Sequence, residues 1–226
     1  FIPKGTSDRT VKMVALGVSL VALVMSLAMI SAFDINSGGI QLVEQHEWIP
    51  FIGAWYALGI NGTGLVLILL TTILTPIVIL ASWEDKLPDP SRVRSYFAWM
   101  LVLQALAIGV FAATDVFLFY VFFEATLVPL YFLIGAHGGA GRGKAAVKFL
   151  ICGLLGGLVV LASIIGLYVL SAQQGGPSFL HADLAQLEIG EGAEKLLFLG
   201  FFIAFAIKAP MWPLHTWLPD AAASAK

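Results

Sequence analysis

Six long runs of apolar residues, separated by polar connections, divide the chain. Each run is long enough to cross a membrane as a helix, which requires about 20 mainly apolar residues. The predicted spans are Val11 to Phe33, Gly62 to Trp83, Tyr96 to Ala113, Val116 to Ala136, Ala145 to Ala172 and Leu196 to Leu218. We therefore predict an all-α integral membrane protein with six transmembrane helices, forming one membrane domain over residues 1–226 without a separate soluble domain.

The composition supports this prediction. The 226 residues are 59% hydrophobic and 12% charged, which is far more apolar than a soluble domain. The 12 basic and 14 acidic residues give a net charge of −2, so nothing points to nucleic acid as a partner. The single cysteine, Cys152, excludes an internal disulfide and a cysteine-based metal cluster. We expect the lipid bilayer to be the solvent and this chain to bind neither a metal nor a cofactor.

Basic residues are distributed unevenly among the connections. Nine precede the first span or lie between spans two and three or spans four and five, whereas the alternate connections hold one. The nine are Lys4, Arg9, Lys12, Lys86, Arg92, Arg94, Arg142, Lys144 and Lys148, and the one is Lys195. Cytoplasmic loops carry the excess of lysine and arginine. We therefore predict that both ends of the chain face the cytoplasm.

Two ionisable residues lie deep within apolar runs, Glu124 in the fourth span and Lys208 in the sixth. Glu124 follows the outer end of its span by eight residues and Lys208 by twelve, distances of about 12 Å and 18 Å along a helix. Both fall near the middle of a hydrocarbon core about 30 Å thick. A charge there costs roughly 2.5 to 3.5 kcal/mol on insertion scales and usually serves a function. We predict a Glu124/Lys208 ion pair on an ion path, with a pair that only fixes helix register as the alternative.

Prolines follow both charges. Pro129 comes after Glu124, and Pro210 and Pro213 come after Lys208. Each proline removes a backbone donor and frees the carbonyl four residues earlier. This pattern predicts that the sixth span is broken at mid-membrane, with Lys208 at the carboxyl end of its first half, where carbonyl dipoles favour a cation. Opening the ion pair in a dry site would leave an unpartnered ammonium, which favours passing a proton on.

Two further residues are candidates for proton relay. His215 follows Lys208 by seven residues, and its imidazole is suited to proton transfer near neutral pH. An interfacial hydrogen-bonding role is the alternative for His215. Lys148, near the start of the fifth span, serves either a hydrated proton entry path or a snorkelling anchor at the cytoplasmic interface.

Two features are predicted at the outer side. The aromatic segment Trp48 to Ile60 is expected to lie along the membrane surface as a short amphipathic piece. Asp115, preceded by Thr114, directly precedes the fourth span. Because aspartate is a favoured N-cap residue, we predict that Asp115 caps this helix.

Four stretches of the chain resemble one known family. They are DVFLFYVFFEATLVPLYFLIG from Asp115, FAIKAPMWPLHTWLPDA from Phe205, VEQHEWIP from Val43 and LGINGTGLVLILLTTILTPI from Leu58. Together they are similar to subunit M of bacterial NADH-quinone oxidoreductase, the counterpart of mitochondrial NADH dehydrogenase chain 4. The resemblance runs over nearly the whole chain and corresponds to about the second through seventh helices of that family.

The resemblance implies an antiporter-like bundle and a role in proton translocation. It assigns Glu124 and Lys208 to a proton half-channel and places Lys148 and His215 near it. It further implies a multi-pass subunit of the bacterial plasma membrane that is not catalytic alone. NADH, FMN, iron–sulfur clusters and quinone are expected in partner subunits of respiratory complex I.

Two other functions remain open from the sequence. The same module builds multisubunit cation/proton antiporters and membrane-bound hydrogenases. A membrane scaffold, in which the two charges only hold helices together, belongs to a different class. Proton pumping by variants of Glu124 and Lys208 distinguishes the scaffold from the transporters.

Overall fold

The computed structural model describes residues 7–84 and 92–225, so Lys4 and Lys86 of the basic connections lie outside the described residues. Within these ranges the chain is mainly helical and contains one small sheet. The elements are α1 (Asp8–Ala32), β1 (Gln41–Ile49), β2 (Ala54–Ile60), α2 (Gly62–Ala81), α3 (Val93–Ala112), α4 (Val116–Ala125), α5 (Leu127–Gly135), α6 (Arg142–Gln173), α7 (His181–Leu184), α8 (Glu191–Lys208) and α9 (Trp217–Ser224). Short 3-10 turns form at Pro50–Ile52 and Leu214–Thr216.

Five of the predicted spans are helical and long and apolar enough to cross a membrane. They are α1, α2, α3, the combined segment Val116–Gly135 and α6. Within the combined segment only Thr126 separates α4 from α5, three residues before Pro129. The helical bundle expected from the apolar runs is confirmed.

The sixth predicted span is not one continuous helix. Helix α8 ends at Lys208, and after a turn the chain continues through the 3-10 segment into α9. Pro210 has no amide hydrogen to extend the helix, so the predicted break is present. The part of the sixth run after Lys208 therefore forms a separate segment that folds against other helices.

The segment Trp48 to Ile60 differs from its prediction, because it belongs to a β-hairpin that the all-α expectation did not include. Strands β1 and β2 pair antiparallel, with Gln45 opposite Ala57. Gly53, with a φ of 70°, lies in the left-handed region that glycine adopts readily and directly precedes β2. The hairpin forms because its two strands, connected by residues 50–53, satisfy each other's backbone hydrogen-bonding groups. Neither strand shows a strong alternation of polar and apolar residues that would have predicted it.

The helices pack in two groups that share α3. Helices α1, α2 and α3 pack against one another, and α6 packs against α4, α5, α8 and α9. Helix α3 also contacts α4 and α5. Inside the first group, the Ser26 hydroxyl lies 2.7 Å from that of Thr72. Helix α6 is thus the element that brings α4 and α8 to a common centre.

Asp115 joins the hairpin to the start of α4. Its Oδ1 accepts a hydrogen bond from the Leu118 amide at 2.9 Å, which confirms the predicted helix cap. Its Oδ2 accepts from the Trp55 amide, also at 2.9 Å. Burial raises the pKa of Asp115, and these backbone hydrogen bonds oppose that rise. One carboxylate therefore fixes both the first turn of α4 and strand β2.

Candidate ion-translocation site

Glu124 lies at the end of α4 and faces α6. A glycine of α6, Gly157, leaves the space that the carboxylate occupies, because a Cβ at position 157 would overlap it. Gly156 faces α8, where a Cβ at this position would lie 3.4 Å from atoms of Ala204 and Ile207. Small residues permit such close packing of membrane helices. The two adjacent glycines therefore allow α6 to contact both α4 and α8.

One carboxylate oxygen of Glu124 is buried without a hydrogen-bond partner. Its Oε1 makes no hydrogen bond in the structure, although Thr126 immediately after α4 donates its hydroxyl to the Phe123 carbonyl. Glu124 is thus an ionisable group within an apolar helix, and such groups in membrane spans usually serve a function.

Lys208 is the last residue of α8. Its Nζ lies 4.3 Å from the centroid of the Phe123 ring, within the range of a cation–π interaction. The helix terminus places the ammonium near the partial negative charge of the last carbonyl groups. Because Phe123 is adjacent to Glu124, Lys208 lies against the same end of α4.

Glu124 and Lys208 lie close together, because the Lys208 ammonium rests on the ring of Phe123, the residue before Glu124. They do not, however, form the direct ion pair that the sequence predicted, because their charged atoms are more than 4.0 Å apart. The Phe123 ring receives the ammonium instead, and Phe205 of α8 packs edge-on against it at 5.9 Å. The fold therefore brings the two charges to one site but keeps an aromatic layer beside them.

The break after Lys208 has a specific backbone arrangement. The Ala209 amide donates to the Phe205 carbonyl at 2.7 Å, and the Met211 amide donates to the Ala206 carbonyl at 2.9 Å. The Ile207 carbonyl accepts from Nε1 of Trp217 at 2.8 Å. A side chain from the following segment thus replaces an amide that the broken helix does not supply.

His215 lies in the 3-10 segment after Pro213. Its Nδ1 is buried and has no hydrogen-bond partner in the structure. It therefore lies between the break and α9, with one ring nitrogen free of a structural bond. The proton-relay role of His215 stays a prediction.

Lys148 of α6 contacts the segment that follows the break. Its Nζ donates to the Thr216 carbonyl at 2.6 Å and to Oδ2 of Asp220 at 2.7 Å. Sequence reasoning did not identify Asp220 as this partner. The sequence did contain a hint of this pairing, because Asp220 is the only acidic residue after Lys208 and the predicted cytoplasmic connections are rich in basic residues. The tertiary fold was needed to place it beside α6.

Among the described residues, the charged site contains no metal-binding cluster and lies apart from the cavity beside the hairpin. Among residues 7–84 and 92–225, no group of three or more histidine, cysteine, aspartate or glutamate side chains is placed to hold a metal. A cavity of about 460 Å³ opens beside the hairpin, lined in part by Asn61, Asp115 and His181. Glu124 and Lys208 do not line this cavity.

Comparison with known proteins identifies the family. Residues 113–226 match the family described as NADH:quinone oxidoreductase/Mrp antiporter, TM. This match covers half of the chain and includes both charged residues and the helix break. The chain belongs to this NADH:quinone oxidoreductase/Mrp antiporter family.

Individual members of the NADH:quinone oxidoreductase/Mrp antiporter family match over most of the chain. NADH-quinone oxidoreductase subunit M of Mycobacterium tuberculosis is 44% identical over 95% of this chain and 45% of its own length. Subunit M of Rhodobacter capsulatus is 41% identical over 95% of this chain and 42% of its own length. The chain therefore spans less than half the length of these curated relatives.

A solved structure shows the same architecture. A chain of respiratory complex I from Thermus thermophilus superposes with a TM-score of 0.81 at 31% identity, over 98% of this chain and 44% of that chain. The hairpin and the broken sixth span thus belong to a fold that covers nearly all of this chain. The resemblance seen in the sequence to subunit M is confirmed.

Proposed function

We propose that this chain is part of the proton-translocating membrane subunit M of an NADH-quinone oxidoreductase, respiratory complex I. Glu124 and Lys208 would form a half-channel that couples quinone reduction in other subunits to proton pumping. The observation that carries the proposal is the meeting of these two ionisable groups at the ends of α4 and α8, where both helices are interrupted. Interrupted membrane helices are tolerated where they line a cavity or an ion path.

The spacing of the two charges supports a switch. In the described arrangement Lys208 rests on the Phe123 ring and Glu124 Oε1 has no hydrogen-bond partner. A small movement of α8 relative to α4 would exchange the ring for the carboxylate as the partner of the ammonium. Because an ammonium is stabilised by a carboxylate far more than by a ring, this exchange changes its tendency to hold a proton. If quinone reduction in other subunits drove this movement of α8, proton transfer through Lys208 would have a direction.

The remaining parts of the reaction lie outside this chain in the proposal. NADH, FMN, iron–sulfur clusters and quinone would be bound by partner subunits, and this chain would not be catalytic alone. Its partners would be the other membrane subunits, including antiporter-like paralogues, in a bacterial plasma membrane. His215 would relay protons on the cytoplasmic side of the path, and Lys148 would lie beside that path.

The experiment that tests this proposal measures proton pumping in inverted membrane vesicles carrying the full complex. Glu124→Gln and Lys208→Ala should each lower pumping at least about tenfold while the complex still assembles, because each removes a group that carries or attracts the proton. Glu188→Gln and Lys195→Ala, at exposed positions far along the chain from the site, are the matched controls. Undiminished pumping by assembled Glu124→Gln and Lys208→Ala complexes would refute the proposal.

A cation/proton antiporter is the second candidate, because the family description includes Mrp antiporters. The same two charges would then exchange protons for another cation without quinone chemistry. Affinity purification of the full-length protein decides between them. Co-purification with NADH:quinone reductase activity supports complex I, and sodium-dependent proton exchange without that activity supports an antiporter.

A further inference from the structure

The ion pair of Lys148 and Asp220 connects α6 to α9. Lys148 Nζ is 2.7 Å from Asp220 Oδ2, and the same ammonium is 2.6 Å from the Thr216 carbonyl. The Lys148 hydrogen bond holds the pKa of Asp220 below its ordinary value of 3.8. Asp220 is therefore a carboxylate at neutral pH, and the pair has no net charge.

The segment joined by this pair is also held by uncharged contacts. Trp217 donates to the Ile207 carbonyl and its ring lies 5.3 Å from that of Phe149. The Gly139 amide donates to the Ser224 carbonyl at 2.8 Å, and Ala221 packs in the cluster that contains Phe149. Several contacts thus dock this segment without Asp220. An additional ion pair is not required to hold it in place.

The position of the ion pair indicates an electrostatic role for Asp220. Lys148 contacts the carbonyl of Thr216, the residue next to His215. Protons that approach Lys208 by way of His215 would pass this ammonium. The side chains of Lys148 and Asp220 are 36% and 52% exposed, so an uncompensated positive charge there would repel these protons with the modest energy of a solvent-screened charge. The carboxylate of Asp220 cancels that charge.

We propose that Asp220 is a positioning residue that neutralises Lys148 and holds its ammonium on the Thr216 carbonyl, so that Lys148 adds no net positive charge to the approach to Lys208. This inference rests on the proposed function. The inference goes beyond the proposed function because it assigns a role to a residue outside the Glu124/Lys208 site. It also assigns Lys148 as a compensated cation and not as a proton carrier.

The test is a double-mutant comparison of proton pumping in vesicles with the full complex. Asp220→Asn should lower pumping per assembled complex by about two- to fivefold, the order expected for one uncompensated charge at a partly exposed position. Lys148→Met combined with Asp220→Asn should recover most of that loss, because the pair then carries no charge. A pair that acts only as a tether predicts a double variant no better than Asp220→Asn, and this result would overturn the inference, as would unchanged pumping by Asp220→Asn.

Two further variants keep the test decisive. Asp220→Glu retains the charge and should pump close to the unmodified complex, so a loss as large as that of Asp220→Asn would contradict charge compensation. Glu191→Gln is the matched control, since Glu191 forms an exposed ion pair with Lys195 at the other end of α8. It should leave pumping unchanged. If Asp220→Asn prevents assembly, restored assembly and pumping in the double variant still supports the inference, and assembly without pumping overturns it.

A chemical readout separates this inference from the proposed function. Acylation of Lys148 by an amine-reactive reagent, measured by peptide mass spectrometry against Lys195, reports the pairing directly, because Lys195 pairs with Glu191 and not with Asp220. Asp220→Asn should increase the Lys148 to Lys195 ratio severalfold, and an unchanged ratio would show that Asp220 does not control Lys148. If Lys208→Ala pumps normally, the proposed function fails, and the acylation ratio still decides the Asp220 assignment.

Discussion

At the scale of single residues, Gly157 determines where the Glu124 carboxylate can lie. The carboxylate occupies the space that any larger residue at position 157 would fill with its Cβ. Position 157 is therefore part of the site although glycine carries no functional group. Gly153, about one turn earlier on α6, leaves space in the same way for an apolar side chain, because a Cβ there would overlap Leu127.

Gly157→Ala should displace the Glu124 side chain and lower proton pumping severalfold, whereas assembly is retained because the carboxylate can rotate. The measurement is pumping per assembled complex in vesicles. Gly143→Ala is the control on the same helix, since a Cβ there meets open space. Equal pumping by the two variants would show that the Glu124 position is not critical.

At the scale of elements, the broken sixth span is stabilised by the segment that follows it. Pro210 ends α8 by lacking an amide hydrogen, and Trp217 satisfies the Ile207 carbonyl from the far side of the break. The indole ring also packs on Phe149 of α6. One side chain therefore supplies both a polar and an apolar contact to the break.

Trp217→Phe should weaken the docking of α9 by about 1 kcal/mol, because it removes the indole donor and keeps an aromatic ring. Thermal unfolding of the purified complex, followed through protease sensitivity of this segment, measures the change. Trp212→Phe is the control, since Trp212 is 84% exposed. A Trp217→Phe segment as resistant as that of Trp212→Phe would contradict the importance of this hydrogen bond.

At the scale of the whole molecule, apolar side chains cover much of the surface. Large side chains on several helices are exposed, among them Met25 at 66%, Val66 at 62% and Leu196 at 72%. A water-soluble protein rarely exposes such continuous apolar surface. In lipid this surface carries no penalty, so the helices are held by close packing, as at the glycines of α6, and by a few polar contacts.

The loop charges predict the orientation of the molecule in the membrane. A cysteine introduced at Ala182, in the exposed connection before α8, should react with a membrane-impermeant thiol reagent from the periplasmic side. Gly143→Cys, between the basic residues Arg142 and Lys144 in the first turn of α6, should react from the cytoplasmic side, and the unmodified chain with Cys152 provides the background. Labelling of Ala182→Cys from the cytoplasm would reverse the predicted topology.

Local residue patterns in the sequence determined the spans, the break and the identity of the charged site. Apolar length predicts α1 to α6 because a membrane helix satisfies its own backbone, and Pro210 predicts the break because it lacks a donor. Deep charges identified Glu124 and Lys208 because burying them is costly.

Contacts between different secondary-structure elements were decided only by the tertiary structure. Pairing of β1 with β2 made a hairpin of the segment expected to be amphipathic. Packing of α8 placed Lys208 on the Phe123 ring and not directly on Glu124, and docking of α9 brought Asp220 to Lys148. These partners depend on how helices meet across α6, and no local pattern of polar and apolar residues specifies that geometry.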